Sequence, residues 1–415
     1  MSNGHPVTAF TNTQLGSVLV ADREIVAVGS VELPSNCQII DAKGLTIAPG
    51  LIDAGVFKAD WRAYHAGGIT RVMLMPDQKP PLDNPAMIGF AWGATKPHIW
   101  VHPLAAATRG LLGAELAEIG LCQAAGAVGV ATGRAGIADS GVMYRLMQYA
   151  AGFDLVVVSH AEDATLTGDA VATDGEVATR LGLPAAPAFA EALAVARDLR
   201  IAEATGARLH FRQVTTAESI ALVRAAKARG LAVTCGVTPG HFLMSEQSVS
   251  GYRSFARLSP PLRSEDDRQA VLAGLADGTI DCIASGHDPR SQEDKRLPFA
   301  DAEPGMIGAE TLLALVILTS ILLRFGMGEA FVRLWFDDEH EGRRRRLARA
   351  APCRDALEHE QGAGDPERGE GGDLGQRSQH AKDPCRGQRP AQRPAVSPQI
   401  IEQKITKKVL RQQRV

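Results

Sequence analysis

The chain has 415 residues, 45% of them apolar and 22% charged, the balance of a globular protein long enough for one large domain or two ordinary ones. Its formal net charge of −3 provides no overall field for nucleic acid or an anionic membrane. Cys37, Cys122, Cys235, Cys282, Cys353 and Cys385 form no CxxC pair, which argues against a zinc knuckle or disulfide scaffold and fits a reducing cytoplasm.

The N-terminal stretch MSNGHPVTAF lacks a basic segment followed by an apolar core, so no signal peptide is expected. Residues 1–47 contain SVLVA, EIVAVGS and CQIIDAKGLTIA. Their alternation and turn residues predict a small β unit. Beyond it, short apolar runs alternate with helix-like segments. The runs lie at 51–57, 69–75, 98–106, 127–131, 154–160, 208–214, 231–237 and 281–287. Buried strands separated by amphipathic helices predict an α/β fold with a parallel sheet. Eight of them fit a (β/α)8 TIM-like barrel, here assigned to residues 48–336. An open doubly wound sheet is the competing architecture, but no Gly-rich phosphate fingerprint follows the first strand.

The segment TTAESIALVRAAKARG predicts a helix with a capping box from Thr215 to Glu218 and a stop at Gly230. The run TLLALVILTSILL at 311–323 is short for a bilayer and predicts a buried helix. From 337 to 415 the chain is rich in Arg, Gly, Gln, Glu and Pro, which predicts a disordered tail. Its mixed charges and lack of interleaved aromatics argue against nucleic-acid binding.

Six stretches carry a family pattern: APGLID (48–53), MPDQKPPLDNP (75–85), SHAED (159–163), VTTAESIALVRAAKARGLAVTCGVTPGH (214–241), SPPLRSEDDRQAVLAGLADGTIDCIASGHDP (259–289) and PFADAEPGMIGAETLL (298–313). Together they resemble class I dihydroorotase, of the cyclic amidohydrolase superfamily. The resemblance implies a (β/α)8 barrel with a small β domain built from both chain ends. It also implies a place in de novo pyrimidine (UMP) synthesis, where the family interconverts carbamoyl aspartate and dihydroorotate. Zinc would hold a hydroxide near neutral pH, and an aspartate after the eighth strand would move the proton.

Residue by residue, this sequence departs from that pattern. The His-x-His expected after the first strand is Gly55 and Phe57, and the following arginine is Ala59. The acidic residue expected after strand four is replaced in the turn Val130-Ala131-Thr132-Gly133. The strand-six histidine is Gln213, the strand-eight aspartate is Gly286, and a substrate-binding asparagine is Asp77. Of the implied metal ligands only His160 remains, whereas a catalytic zinc takes about three protein ligands. No catalytic residue and no metal are therefore expected. A remnant pocket is assigned to His160, Asp77, His241, His287, Pro304 and Gly305, with Phe57 filling the vacated space. A mononuclear site from His160, His241 and Asp288 has no spacing rule behind it. His287 and Asp288 are expected to cap the GHDP turn, and Arg263 to pair with Glu265 or Asp266.

The leading expectation is a non-catalytic dihydroorotase homologue, a pseudoenzyme that assembles with aspartate transcarbamoylase in a cytoplasmic oligomer, without nucleic-acid or membrane partners. The first alternative is an active cyclic amidohydrolase with zinc in an altered site. The second is a truncated product, because the Arg/Gly/Gln-rich tail reads like a frameshift near residues 325–345.

Overall fold

The computed structural model describes residues 5–8, 12–13, 16–21, 24–32, 34, 37–41 and 46–317. The predicted tail and frameshift lie outside the described residues. Eight parallel strands form one sheet that curves into a nearly closed barrel. In chain order they are β1 (Leu51–Val56), β2 (Ile69–Leu74), β3 (Trp100–Ala106), β4 (Gly129–Ala131), β5 (Val156–Ser159), β6 (Arg208–Phe211), β7 (Val233–Val237) and β8 (Cys282–Ile283). Each pairs with its sequence neighbour. Val156↔Arg208 and Ser159↔Phe211 set the register of β5 with β6. The three consecutive valines of β5 suit a pleated surface covered on both faces.

Between β1 and β8 the ladder is replaced by two hydrogen bonds. Ser285 N donates to Asp53 Oδ1 at 2.8 Å, and Phe57 N donates to the His287 carbonyl at 3.2 Å. Asp53 is fully buried. Burial pushes its carboxyl pKa up, against the lowering effect of Ser285.

Helices cover the outside. In α1 (Ser140–Gly152) Asp139 caps the start by accepting from Val142 N at 2.9 Å. Val142, Met143, Leu146, Met147 and Ala150 form its buried stripe, the spacing of a helix resting on a sheet. The helices α2 (Phe189–Thr205), α3 (Ala217–Ala228) and α4 (Glu265–Ala276) follow β5, β6 and β7. The cap of α3 is one residue later than the sequence suggested. Thr216 accepts from Ser219 N, because Thr215 is held instead by Glu191, which accepts from its backbone N at 2.8 Å. Gly230, at φ +82°, ends the segment as expected.

The main core lies between barrel and helices and includes Leu146, Val157, Leu199, Leu209, Val223 and Val271. A smaller cluster of Phe57, Met75, Leu104, Ala131 and Val158 plugs the barrel interior. At the N-terminal side, Ser17–Ala21 pairs antiparallel with Glu24–Gly29. His5–Thr8 pairs with Asn12–Thr13 and with Thr46–Ile47. The described part of the 311–323 run is helical at 312–317. It buries Leu312 but leaves Leu313 42% and Ile317 51% exposed, so this stretch is amphipathic and not buried all round. Among the described residues no helix is long and apolar enough to cross a membrane.

Candidate functional site

The C-terminal ends of parallel barrel strands point their side chains into a common mouth. Here that mouth is a cavity with about 420 Å³ of empty space, part of it open to solvent. Its lining includes Phe57 after β1, Arg134 after β4, Arg212 and Gln213 after β6, Thr238 and His241 after β7, and Gly286 and Asp288 after β8. Pro304, Gly305 and Met306 close one side.

Phe57 is 6% exposed and sits in the barrel plug. It is flanked by two cations: the Arg134 and Arg212 guanidinium carbons lie 3.8 and 5.2 Å from its ring centre, within cation–π range. Arg134 also donates to Asp288 Oδ2, and its backbone N donates to Asp77 Oδ1 at 2.7 Å. Asp77 is thus turned onto the Gly133-Arg134 backbone and does not line the cavity. Burial raises its pKa, against the lowering pull of Arg134 and Arg212.

His160 stands behind Arg212. Its Nδ1 is 3.0 Å from Arg212 Nη2 and its Nε2 is 3.1 Å from Glu162 Oε2. Burial alone would raise the Glu162 carboxyl, but His160 and Arg263 outweigh it and hold it at about 2. The expected Arg263 pairing with Glu265 or Asp266 is not what forms. Arg263 is buried and pairs with Glu162 at 3.0 Å and Glu191 at 3.4 Å, while Glu265 binds Arg268. Buried carboxylates on the neighbouring strand end and on α2 reach inward to Arg263, which its own exposed helix-start neighbours do not.

His241 closes a chain of hydrogen bonds. Its Nε2 lies 2.9 Å from the Pro260 carbonyl, so that nitrogen carries the proton. Its Nδ1 then accepts from Thr238 Oγ1 at 2.8 Å, and Thr238 accepts from Gln213 Nε2 at 3.0 Å. Burial pulls the His241 pKa down to about 4, with Arg263 and Arg212 adding to it. The neutral ring that this requires is the one the hydrogen bonds describe. His287 is outside the cavity. Its Nδ1 faces the Gly308 and Ala309 N–H groups at 3.4 Å each, and its ring packs on Tyr64. Asp288 does not cap the turn as expected. Its Oδ2 bridges Arg134 and Arg290, the latter at 3.0 Å.

Of the sequence-assigned residues, the structure brings together Phe57, Gln213, His241, Gly286, Pro304 and Gly305 at one cavity. His160 lies one layer behind. Ala131 is in the plug, and Thr132 links β4 to β5 by accepting from His160 N at 3.0 Å. Gly55 has φ +94°, and a Cβ there would meet the Arg212 stem at 3.5 Å. The sequence reading overlooked Arg134 and Arg212 because neither falls on a family ligand position. For Arg212 the signal available was a charge immediately after a buried parallel strand, where such runs are otherwise apolar; Arg134 stands three residues past β4.

The family's zinc does not fit these residues. Glycine, phenylalanine and a neutral amide stand at three ligand positions, and both ring nitrogens of His160 are engaged. Among the described residues no three His, Cys, Asp or Glu side chains gather closely enough to hold a metal.

The dihydro-orotase-like family profile matches residues 48–219. A protein named dihydroorotase from Syntrophotalea carbinolica is 42% identical over 314 residues, 72% of this chain and 74% of that one. This chain belongs to the dihydroorotase-like family. Another member, named dihydroorotase, from Pelotomaculum thermopropionicum, is 42% identical over 312 residues, 72% of this chain and 73% of its own. In fold, the dihydroorotase-like chain superposes on an L-hydantoinase (dihydropyrimidinase) from Arthrobacter aurescens with a TM-score of 0.65. That match has 22% identity and covers 76% of this chain and 75% of that one.

Proposed function

We propose that this dihydroorotase-like protein serves pyrimidine synthesis without zinc-dependent turnover, as a structural partner of aspartate transcarbamoylase. The observation that carries the first half is the donor set at the mouth, where an arginine-flanked phenylalanine occupies the place of the family's metal ligands. The partner is inferred from the resemblance to non-catalytic family members. The second reading is an active dihydroorotase with an altered site. Relatives of that name, 42% identical over about three quarters of their length, favour it, and the comparisons taken alone support it better than the first.

One preparation separates the two. The purified full chain is analysed for bound zinc, assayed with dihydroorotate, and co-expressed with the transcarbamoylase from the same genome. The first reading expects substoichiometric zinc, no turnover above background and co-elution of the two proteins. Stoichiometric zinc with turnover establishes the second reading. Separate elution from a fully active transcarbamoylase removes the partnership.

A further inference from the structure

Outside the barrel, between β3 and α1, the chain carries a knob and a groove side by side. The knob is the loop at residues 108–116. Thr108 and Leu116 are bridged at its base, Arg109 N donates to the Glu115 carbonyl at 2.9 Å, and Leu112 N donates to the Arg109 carbonyl at 3.2 Å. Leu112 stands at the tip and is 81% exposed, the largest share of any large apolar side chain among the described residues.

Leu116 also lines the groove, which holds about 1100 Å³ of space, part of it open to solvent. One wall continues through Glu118 to Leu121 on the short helix Ile119–Ala124, and the other is Arg145 and Tyr149 of α1. Leu121 is 56% and Tyr149 41% exposed. The walls are fixed. Phe153 packs edge-on against Tyr149 at 5.1 Å, its carbonyl accepts from Gln123 Nε2 at 3.0 Å, and a Cβ on Gly120 would lie 2.8 Å from its Cζ.

The charges on the two walls are opposite and weakly engaged. Glu118 has only the long, exposed contact to Arg109 at 3.8 Å, a kind worth little. Arg145 makes no ion pair among the described residues; it feels Asp139, whose carboxylate already caps α1. A single exposed leucine is ordinary. An occupant of this groove, however, has to offer an apolar knob, a cation for Glu118 and a carboxylate for Arg145, and this surface itself presents all three.

We infer that this face pairs two copies of the chain about a two-fold axis. Each Leu112 enters the other copy's groove, and each Arg145 meets the partner's Glu118. A contact of that symmetry uses the same patch twice and closes at two copies. It is independent of what the barrel mouth does and of any transcarbamoylase.

The test is sedimentation of the full chain over a concentration series, with a monomer–dimer equilibrium expected. Leu112→Asp should raise the dissociation constant at least about tenfold. Arg145→Glu and Glu118→Arg should each raise it about tenfold by setting like charges face to face. The double variant should return it to within about threefold of the wild type, a rescue that a different protein in the groove would not produce. All three positions are exposed, so unchanged urea midpoints establish that the variants fold. A chain that stays monomeric up to its solubility limit overturns the inference. A dimer that Leu112→Asp leaves intact, or that the double variant does not restore, overturns it too.

Discussion

Gly286 stands where the family's strand-eight aspartate is expected, and the local geometry sets what a side chain there would cost. Its φ is +62°, and a Cβ would lie 2.8 Å from Thr238 Cγ2 and 3.3 Å from Thr238 Cβ. The left-handed backbone costs a non-glycine residue about 1 kcal/mol. Forcing aside a buried methyl adds about 1–3 kcal/mol. Gly286→Ala should therefore destabilise the protein by about 2–4 kcal/mol, read from urea unfolding midpoints at unchanged slope. Thr238→Ser removes Cγ2 while keeping the hydroxyl that joins Gln213 to His241. In that background Gly286→Ala should cost little more than the backbone part, since only the 3.3 Å approach to Cβ remains, so the two changes couple by up to about 1–3 kcal/mol. A cost below about 0.5 kcal/mol, or an equal cost in both backgrounds, would refute the steric account. An aspartate restored at 286 meets the same obstacle, so the carboxylate cannot be returned without adjusting Thr238.

Arg263→Met should destabilise the fold by about 3–5 kcal/mol in denaturant, because Glu162 and Glu191 would lose their shared buried cation; a loss within about 1 kcal/mol would show that their other hydrogen bonds suffice. His241 gives a pH signature. Its folded pKa of about 4 lies below the unfolded value near 6.5, so the unfolded chain binds the extra proton. Its contribution is complete above pH 6.5 and is lost as pH falls toward 4, the loss amounting to about 2 kcal/mol by pH 5. The difference in stability between wild type and His241→Asn should shrink over that window. A difference that stays constant with pH would contradict the neutral, buried assignment.

The barrel was legible because parallel strands covered on both faces are written as nearly continuous apolar runs. DLVVVSH at 154–160 became β5 at Val156–Ser159, and RLHFRQV at 208–214 became β6 at Arg208–Phe211. The excess at the C-terminal ends is where the strands turn: His160 N bonds to Thr132 Oγ1, Arg212 N still reaches the Ser159 carbonyl, and the side chains of Arg212 and Gln213 line the mouth. What the sequence concealed is charge pairing across long separations. Arg263 reaches Glu162 and Glu191, 101 and 72 residues away, while acidic neighbours at 265 and 266 made a local pairing look sufficient. Asp288 looked like a turn cap because its partner, Arg134, is 154 residues distant. The resemblance placed Phe57, Gln213 and Gly286 at the mouth, but it had no position for an arginine supplied from β6.

The seam between β1 and β8 has a consequence for the order of folding. The Asp53–Ser285 contact joins residues 232 apart in the chain, whereas the other barrel pairings join consecutive strands. Bringing such distant segments together from an open chain would carry a loop entropy of about 5 kcal/mol, far more than two hydrogen bonds return. Once the intervening strands have paired in sequence, their right-handed twist has already carried β8 round to β1, and most of that entropy has been spent in small steps. The circle is thus closed by its interior, and the seam itself needs to be no more than a latch.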